Sequence, residues 1–267
     1  MKNTVGVVTS TYPNYGTEEA LDGISGAGFK YVELATCPGF FEHISPRPED
    51  MKPGDEKKVL DLCKKYGLKL QCVAGHTRMI KEDTVKNFKA VIDFASRANV
   101  GFITTDAGEV KDSTDEKKFY SDISELAGYA KDKKVTICLE MHGNWLNTAS
   151  KGAEVIKKIN HPNVKLNYDT SNVIMYGKTR PEGDIDKALP YMGYLHLKDH
   201  GTGKAGEWNF PALGEGVVDF EKIFDSVKDY SGPISVEIEF DGKERKLETI
   251  NEAVRRSYEF LKSYGYV

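Results

Sequence analysis

Eight short runs rich in Val, Ile and Leu punctuate the chain, at residues 4–9, 30–34, 69–73, 100–104, 135–140, 164–168, 193–196 and 233–237. Runs of this length between turn residues read as strands. The stretches between them have helical spacing. Residues 56–66 place Val59, Leu60, Leu62 and Cys63 on one side, with Gly67 as the stop. Residues 83–98 and 115–131 behave alike, 150–159 carries Val155, Ile156 and Ile159, Asp219 is placed to cap 220–227, and 246–262 is a further helix. Strand–helix alternation implies a parallel sheet with right-handed crossovers. Eight such units close most naturally into a barrel. The expected fold is therefore α/β, a single-domain (β/α)8 TIM barrel over residues 1–267. An open doubly wound sheet is the alternative, but no G-x-G-x-x-G follows the first run and no Walker A motif occurs.

Composition fits a globular protein. Hydrophobic residues make up 39% and charged residues 29%, which argues against disorder. The net charge of −4 argues against a nucleic-acid partner, whose phosphates need clustered Lys and Arg. No run approaches the ~20 apolar residues of a membrane span, and residues 1–5 do not begin a signal-peptide pattern. Cys37, Cys63, Cys72 and Cys138 have no CxxC spacing and read as buried free thiols, so a reducing, cytoplasmic setting is expected. Two long loops, 36–53 and 199–218, have the length of binding loops or lids.

The alternation within four strands carries the functional argument. Val135, Ile137 and Leu139 share one face, and Thr136, Cys138 and Glu140 the other. The split recurs as Val164, Leu166 and Tyr168 against Lys165, Asn167 and Asp169. It recurs again as Leu195 and Leu197 against Tyr194, His196 and Lys198, and as Ile234, Val236 and Ile238 against Ser235, Glu237 and Glu239. The aliphatic faces can pack under helices, and the polar faces then point to the barrel axis. Barrel active sites lie at the C-terminal strand ends. Glu140, Asp169, His196 and Glu237 should converge there.

Taken singly, each has an ordinary explanation: a salt-bridged acid, a capping Asp, a satisfied core His. Their shared phase and shared strand end favour a common role. Three acids and an imidazole packed together repel one another and lose hydration unless a cation joins them. One divalent metal ion is the simplest answer, and this oxygen–nitrogen set suits Mn2+, Mg2+, Co2+ or Zn2+.

These strand ends resemble the xylose-isomerase-like TIM barrel superfamily, the sugar phosphate isomerase/epimerase family. The matching segments are Leu139-Glu140-Met141-His142, Asp169-Thr170-Ser171-Asn172, Leu195-His196-Leu197-Lys198-Asp199 and Val236-Glu237-Ile238-Glu239. Residues 213–220, Leu-Gly-Glu-Gly-Val-Val-Asp-Phe, resemble its glycine-bearing loop, and residues 27–34 its second strand. The superfamily includes sugar and sugar-phosphate isomerases, ketose 3-epimerases, inosose dehydratases and the endonuclease IV type of repair enzyme. The resemblance implies Glu140, Asp169, His196 and Glu237 as metal ligands, with Glu239 the rival of Glu237. Asn172 stands where many epimerases of the family carry a histidine.

His76, His142, Asn172, Lys198 and Trp208 are the candidate substrate contacts, with Arg78 beside His76, although the ambiguous strand phase there slightly favours an ordinary loop pair. Glu33 is expected to reach the mouth from the second strand. Phe40, Phe41, Trp145 and Trp208 are candidates to wall a sugar pocket. Aromatic loop residues are as often plain packing, and His142 is as easily an ordinary loop residue.

The expected reaction is metal-assisted isomerisation or epimerisation of a small carbohydrate. Glu140 and Glu237 would serve as acid and base around an enediolate. Dehydration of a keto-sugar or inosose would need the same residue types. A phosphodiester endonuclease of this superfamily would hold several metals with more histidines, and the chain has six. A noncatalytic sugar-binding barrel would have little use for three convergent acids. Oligomeric state stays open, a homo-oligomer being compatible.

Overall fold

The computed structural model describes residues 3–76 and 78–267. The strands are β1 (Val5–Val8), β2 (Tyr31–Cys37), β3 (Phe41–Glu42), β4 (Lys69–Ala74), β5 (Phe102–Thr105), β6 (Thr136–Glu140), β7 (Val164–Asp169), β8 (Met192–Leu197) and β9 (Ile234–Val236). All except β3 pair in parallel with their neighbours, and β1 pairs with both β2 and β9, so the sheet closes. All eight strand-like runs of the sequence are strands of this barrel. β3 was not foreseen: it folds back antiparallel on β2 inside the long loop, pairing Thr36 with Glu42 and Cys37 with Phe41.

The helices are α1 (Thr17–Ala27), α2 (Asp55–Lys65), α3 (Thr84–Arg97), α4 (Ser113–Asp132), α5 (Ala149–Ile159), α6 (Asn172–Met175), α7 (Phe220–Ser226) and α8 (Leu247–Ser263). Side chains cap several starts: Asp112 accepts from the N–H groups of Thr114 and Asp115, Thr148 from Lys151, and Asp219 from Lys222. One connection departs from the expected repeat. Between β7 and β8 lie only the four-residue α6 and three single 3-10 turns, two of which begin on Pro181 and near Pro190. Proline lacks the N–H that would continue a helix.

The predicted faces hold. Val135, Ile137, Leu139, Val164, Leu166, Ile234 and Val236 lie in the main core with helix residues such as Phe88, Ile92, Phe119 and Ile123. Cys72, Cys138 and Tyr194 pack together separately, inside the barrel. All four cysteines are buried and free. No helix among the described residues is long and apolar enough to cross a membrane.

Candidate metal centre and its pocket

Alternation along β6, β7 and β8, and the residue after β9, bring Glu140, Asp169, His196 and Glu237 together. One ligand atom from each lies within 4.8 Å of the others. His196 Nδ1 is 3.4 Å from Glu140 Oε2, 3.7 Å from Glu237 Oε2 and 3.9 Å from Asp169 Oδ2. Such separations suit donors that share one ion through bonds of ~2.0–2.2 Å.

The other atom of each group is already held. Asn172 Nδ2 donates to Glu140 Oε1 at 2.8 Å, and the N–H groups of Ser171 and Asn172 donate to Asp169 Oδ1 at 2.8 and 2.7 Å. Ser10 donates to Glu237 Oε1 at 3.1 Å, and His196 Nε2 lies 3.0 Å from Glu33 Oε2. Asp169 Oδ2 and His196 Nδ1 are buried with no hydrogen-bond partner. Buried polar atoms are nearly always satisfied, so two that face one another among carboxylates have the character of ligand atoms for a cation.

The electrostatics agree. Burial raises Asp169, the charges of Glu140 and Glu237 add to this, and Lys198 opposes them; the carboxyl is pushed up to about 8. Burial alone would lower His196, but Glu33, Glu140 and Glu237 overcome it and lift the ring to about 10. Burial would raise Glu140, yet His76 and His196 hold it well below the usual carboxylate range.

Around the cluster lies a cavity of about 310 Å³ whose walls include His76, His142, Asn172, Lys198 and Trp208, the five expected substrate contacts. His76 bridges Glu140, 3.0 Å from Nε2, and Asp106, 3.4 Å from Nδ1. His142 Nε2 meets the Tyr176 hydroxyl at 3.2 Å. Lys198 is buried between Glu237, at 3.1 Å, and Glu239. Burial disfavours its charge, but the two acids outweigh this and raise its pKa. Glu239 is thereby engaged by Lys198 and lies outside the four-residue group.

Phe40 and Phe41 line the cavity as expected. Trp145 does not: it packs on Phe119 and Tyr120. Arg78 is likewise structural, its guanidinium buried against the Thr36 carbonyl and Glu49. Asp106 was missed. It follows β5 directly, where Thr104 and Thr105 lie on opposite faces and blur the alternation. A larger cavity, about 620 Å³, lies at the opposite strand ends beside Phe102, Thr136, Lys165 and Met192, away from the acids.

The sequence matches the xylose isomerase-like TIM barrel family over residues 21–264. The chain belongs to that family. Two curated relatives are the L-ribulose-5-phosphate 3-epimerases UlaE of Shigella flexneri and Escherichia coli, 25% and 24% identical over 182 residues. Each match covers 62% of this chain and 63% of the relative, so the chain spans less than two thirds of their length. Among solved structures, a xylose isomerase domain protein from Planctomyces limnophilus superposes with a TM-score of 0.76 at 21% identity, covering 91% of each chain. D-allulose 3-epimerase from Methylomonas sp. gives 0.76 at 20%, covering 98% of this chain and 97% of that one. The probable 3-DHS dehydratase AsbF from Bacillus anthracis gives 0.72 at 14%, covering 97% and 98%. At these identities the structural likeness speaks for the fold of this family member.

Proposed function

We propose that this chain is a divalent-metal-dependent sugar epimerase or isomerase that moves a proton at the carbon next to a sugar carbonyl. The observation that carries the reading is the pair of unpartnered buried atoms, Asp169 Oδ2 and His196 Nδ1, beside Glu140 and Glu237, two acids that line the pocket. The curated relatives that act as 3-epimerases support it.

Glu140, Asp169, His196 and Glu237 would hold the ion. A bound divalent cation supplies Lewis-acid pull on a carbonyl and its neighbouring hydroxyl, which acidifies the adjacent C–H and stabilises an enediolate. Glu140 and Glu237 come from the two ends of the β6–β9 arc, so they can approach a carbon between them from different sides. One takes the proton and the other returns it. Asn172 and His76 orient Glu140, while Ser10 and Lys198 orient Glu237. The free end of a sugar would lie against Phe41 and Trp208, whose ring faces suit its C–H surfaces.

The test is a panel of ketoses, sugar phosphates and inososes in D2O with added Mn2+ or Co2+. Deuterium uptake at the carbon next to the carbonyl is expected, with loss on chelation. Full metal occupancy in a Glu140→Gln, Asp169→Asn, Glu237→Gln variant, or nicking of abasic DNA with no exchange on any sugar, overturns the reading.

A further inference from the structure

Among the described residues, Lys198 is the only Lys or Arg in the wall of the cavity around the acids, and it is 3% exposed. Its backbone is pinned. The Lys198 N–H donates to Thr170 Oγ1 at 2.9 Å, and the hydroxyls of Thr170 and Ser171 donate to the Lys198 carbonyl at 2.7 and 2.6 Å. The ammonium therefore works within a fixed neighbourhood. Nζ donates to Glu237 Oε2 at 3.1 Å and meets Glu239 Oε2. It lies 4.3 Å from the centre of the Phe210 ring and 5.9 Å from that of Trp208.

The oxygen that Lys198 takes on Glu237 is the one that faces the cluster. Oε1 accepts from Ser10, whereas Oε2 lies 3.7 Å from His196 Nδ1. A divalent ion held by Glu140, Asp169, His196 and Glu237 would share that oxygen with the ammonium. Like charges so close in a buried site repel strongly. Glu239 offers the ammonium a second acid outside the four-residue group. Glu239 is itself anchored, its N–H donating to the Phe210 carbonyl at 3.2 Å.

We infer that Lys198 and Glu239 form a built-in counter-charge that sets the affinity of the site for its divalent ion. Lys198 competes with the ion for Glu237, and Glu239 draws Lys198 off it. This rests on the reading of Glu140, Asp169, His196 and Glu237 as metal ligands. Binding of the ion moves the ammonium toward Glu239 and leaves it partnered, so no buried charge is stranded. Glu239 is a positioning residue that acts through Lys198, and not a ligand. The site then holds its ion less tightly than the four ligands alone would, and the ion can exchange.

The experiment titrates metal-free protein with Mn2+ by calorimetry and checks the same samples by far-UV circular dichroism. The variants are Lys198→Met, Glu239→Gln and the two together. Lys198→Met should tighten Mn2+ binding by roughly tenfold or more. Glu239→Gln should weaken it by about tenfold, because Lys198 then leans on Glu237 alone. In the Lys198→Met background the same Glu239→Gln change should alter affinity by less than about threefold, since no lysine is left to draw away. A ligand role for Glu239, or its charge acting directly on the ion, would keep the full loss in that background and overturn the inference. The double variant leaves neither partner charged and unpaired, so it carries the test if Lys198→Met alone does not fold: it should bind Mn2+ more tightly than wild type. A double variant or a folded Lys198→Met that binds no more tightly than wild type overturns the inference and leaves the metal site standing. No Mn2+ binding by wild type or any variant removes the metal site and the inference together.

Discussion

The carboxylate of Glu33 lies 3.0 Å from Nε2 of His196, and this contact decides which ring nitrogen faces the acidic cluster. Glu33 is fully buried and also accepts from the Thr104 hydroxyl, so it cannot swing away. With an ion bound, Nε2 would keep its proton toward Glu33 and Nδ1, which faces Glu140, Asp169 and Glu237, would give up its own and offer a lone pair. A carboxylate behind a ligating histidine fixes its tautomer and raises its basicity.

Glu33→Gln should therefore weaken Mn2+ binding by roughly 10–100-fold while the barrel stays folded. Metal titration beside far-UV circular dichroism checks it. Unchanged affinity in a folded variant would mean that the contact only fills space.

The metal-free protein should lose stability as pH rises through neutrality. Asp169 is raised from 3.8 to about 8 and His196 from 6.5 to about 10. Both groups bind protons more tightly folded than unfolded. Their contribution is complete below the unfolded values and is lost as pH climbs through the folded ones, at about 1.4 kcal/mol per pH unit for each proton. A divalent ion displaces those protons, so binding should release protons and tighten with pH. Tm of metal-free and Mn2+-loaded protein between about pH 6 and pH 9, with calorimetry in two buffers, tests this. A metal-free Tm that climbs over that range contradicts it.

Glu140→Gln and Glu237→Gln should each reduce exchange of the proton next to the carbonyl by ~10²–10⁴-fold, the usual worth of a general acid or base. Metal content must be measured on the same samples, because both residues also face the ion. A variant that keeps its metal and loses exchange identifies the base. One that keeps both metal and near-full exchange removes that glutamate from the chemistry.

The loop at 199–218 is expected to move only in part. Asp199 accepts from the N–H groups of His200, Gly214, Gly216 and Val218 at 2.8–3.2 Å, which ties down 213–218. Sugar should then protect 201–209, around Trp208, from hydrogen exchange and leave 213–218 as protected as before. Asp199→Ala should raise exchange at Gly214, Gly216 and Val218. Equal protection of both halves by ligand would restore a lid over the whole loop.

Much of this was legible because a strand has a period of two. Cys138 and Glu140, Asn167 and Asp169, Tyr194 and His196 could be assigned to one face before any contact was known. The same rule stops where the strand stops. Glu237, one residue past β9, could still be placed because Ser235 precedes it on its face, whereas Thr104 and Thr105 put a polar group on each face of β5 and leave Asp106 without a direction. Glu33 was visible as an acid between Val32 and Leu34, but its partner lies 163 residues away and appears only when the barrel closes. Arg78, read as slightly more an ordinary loop residue than a contact, and Trp145, left open, were undecided for the opposite reason: polar and aromatic residues in loops look alike whether they line a pocket or fasten a turn.

Closure also governs how the molecule meets copies of itself. A sheet whose first and last strands pair offers no row of free N–H and C=O groups to another chain. Here the described strands leave one margin, β3, just two residues long. It ends at Glu42, whose carboxylate is bound by Arg47, so a charged pair stands at the place where strand addition would begin. Folded molecules crowded together have almost nothing to zip onto, and fibril growth from this protein would have to wait for the barrel to open.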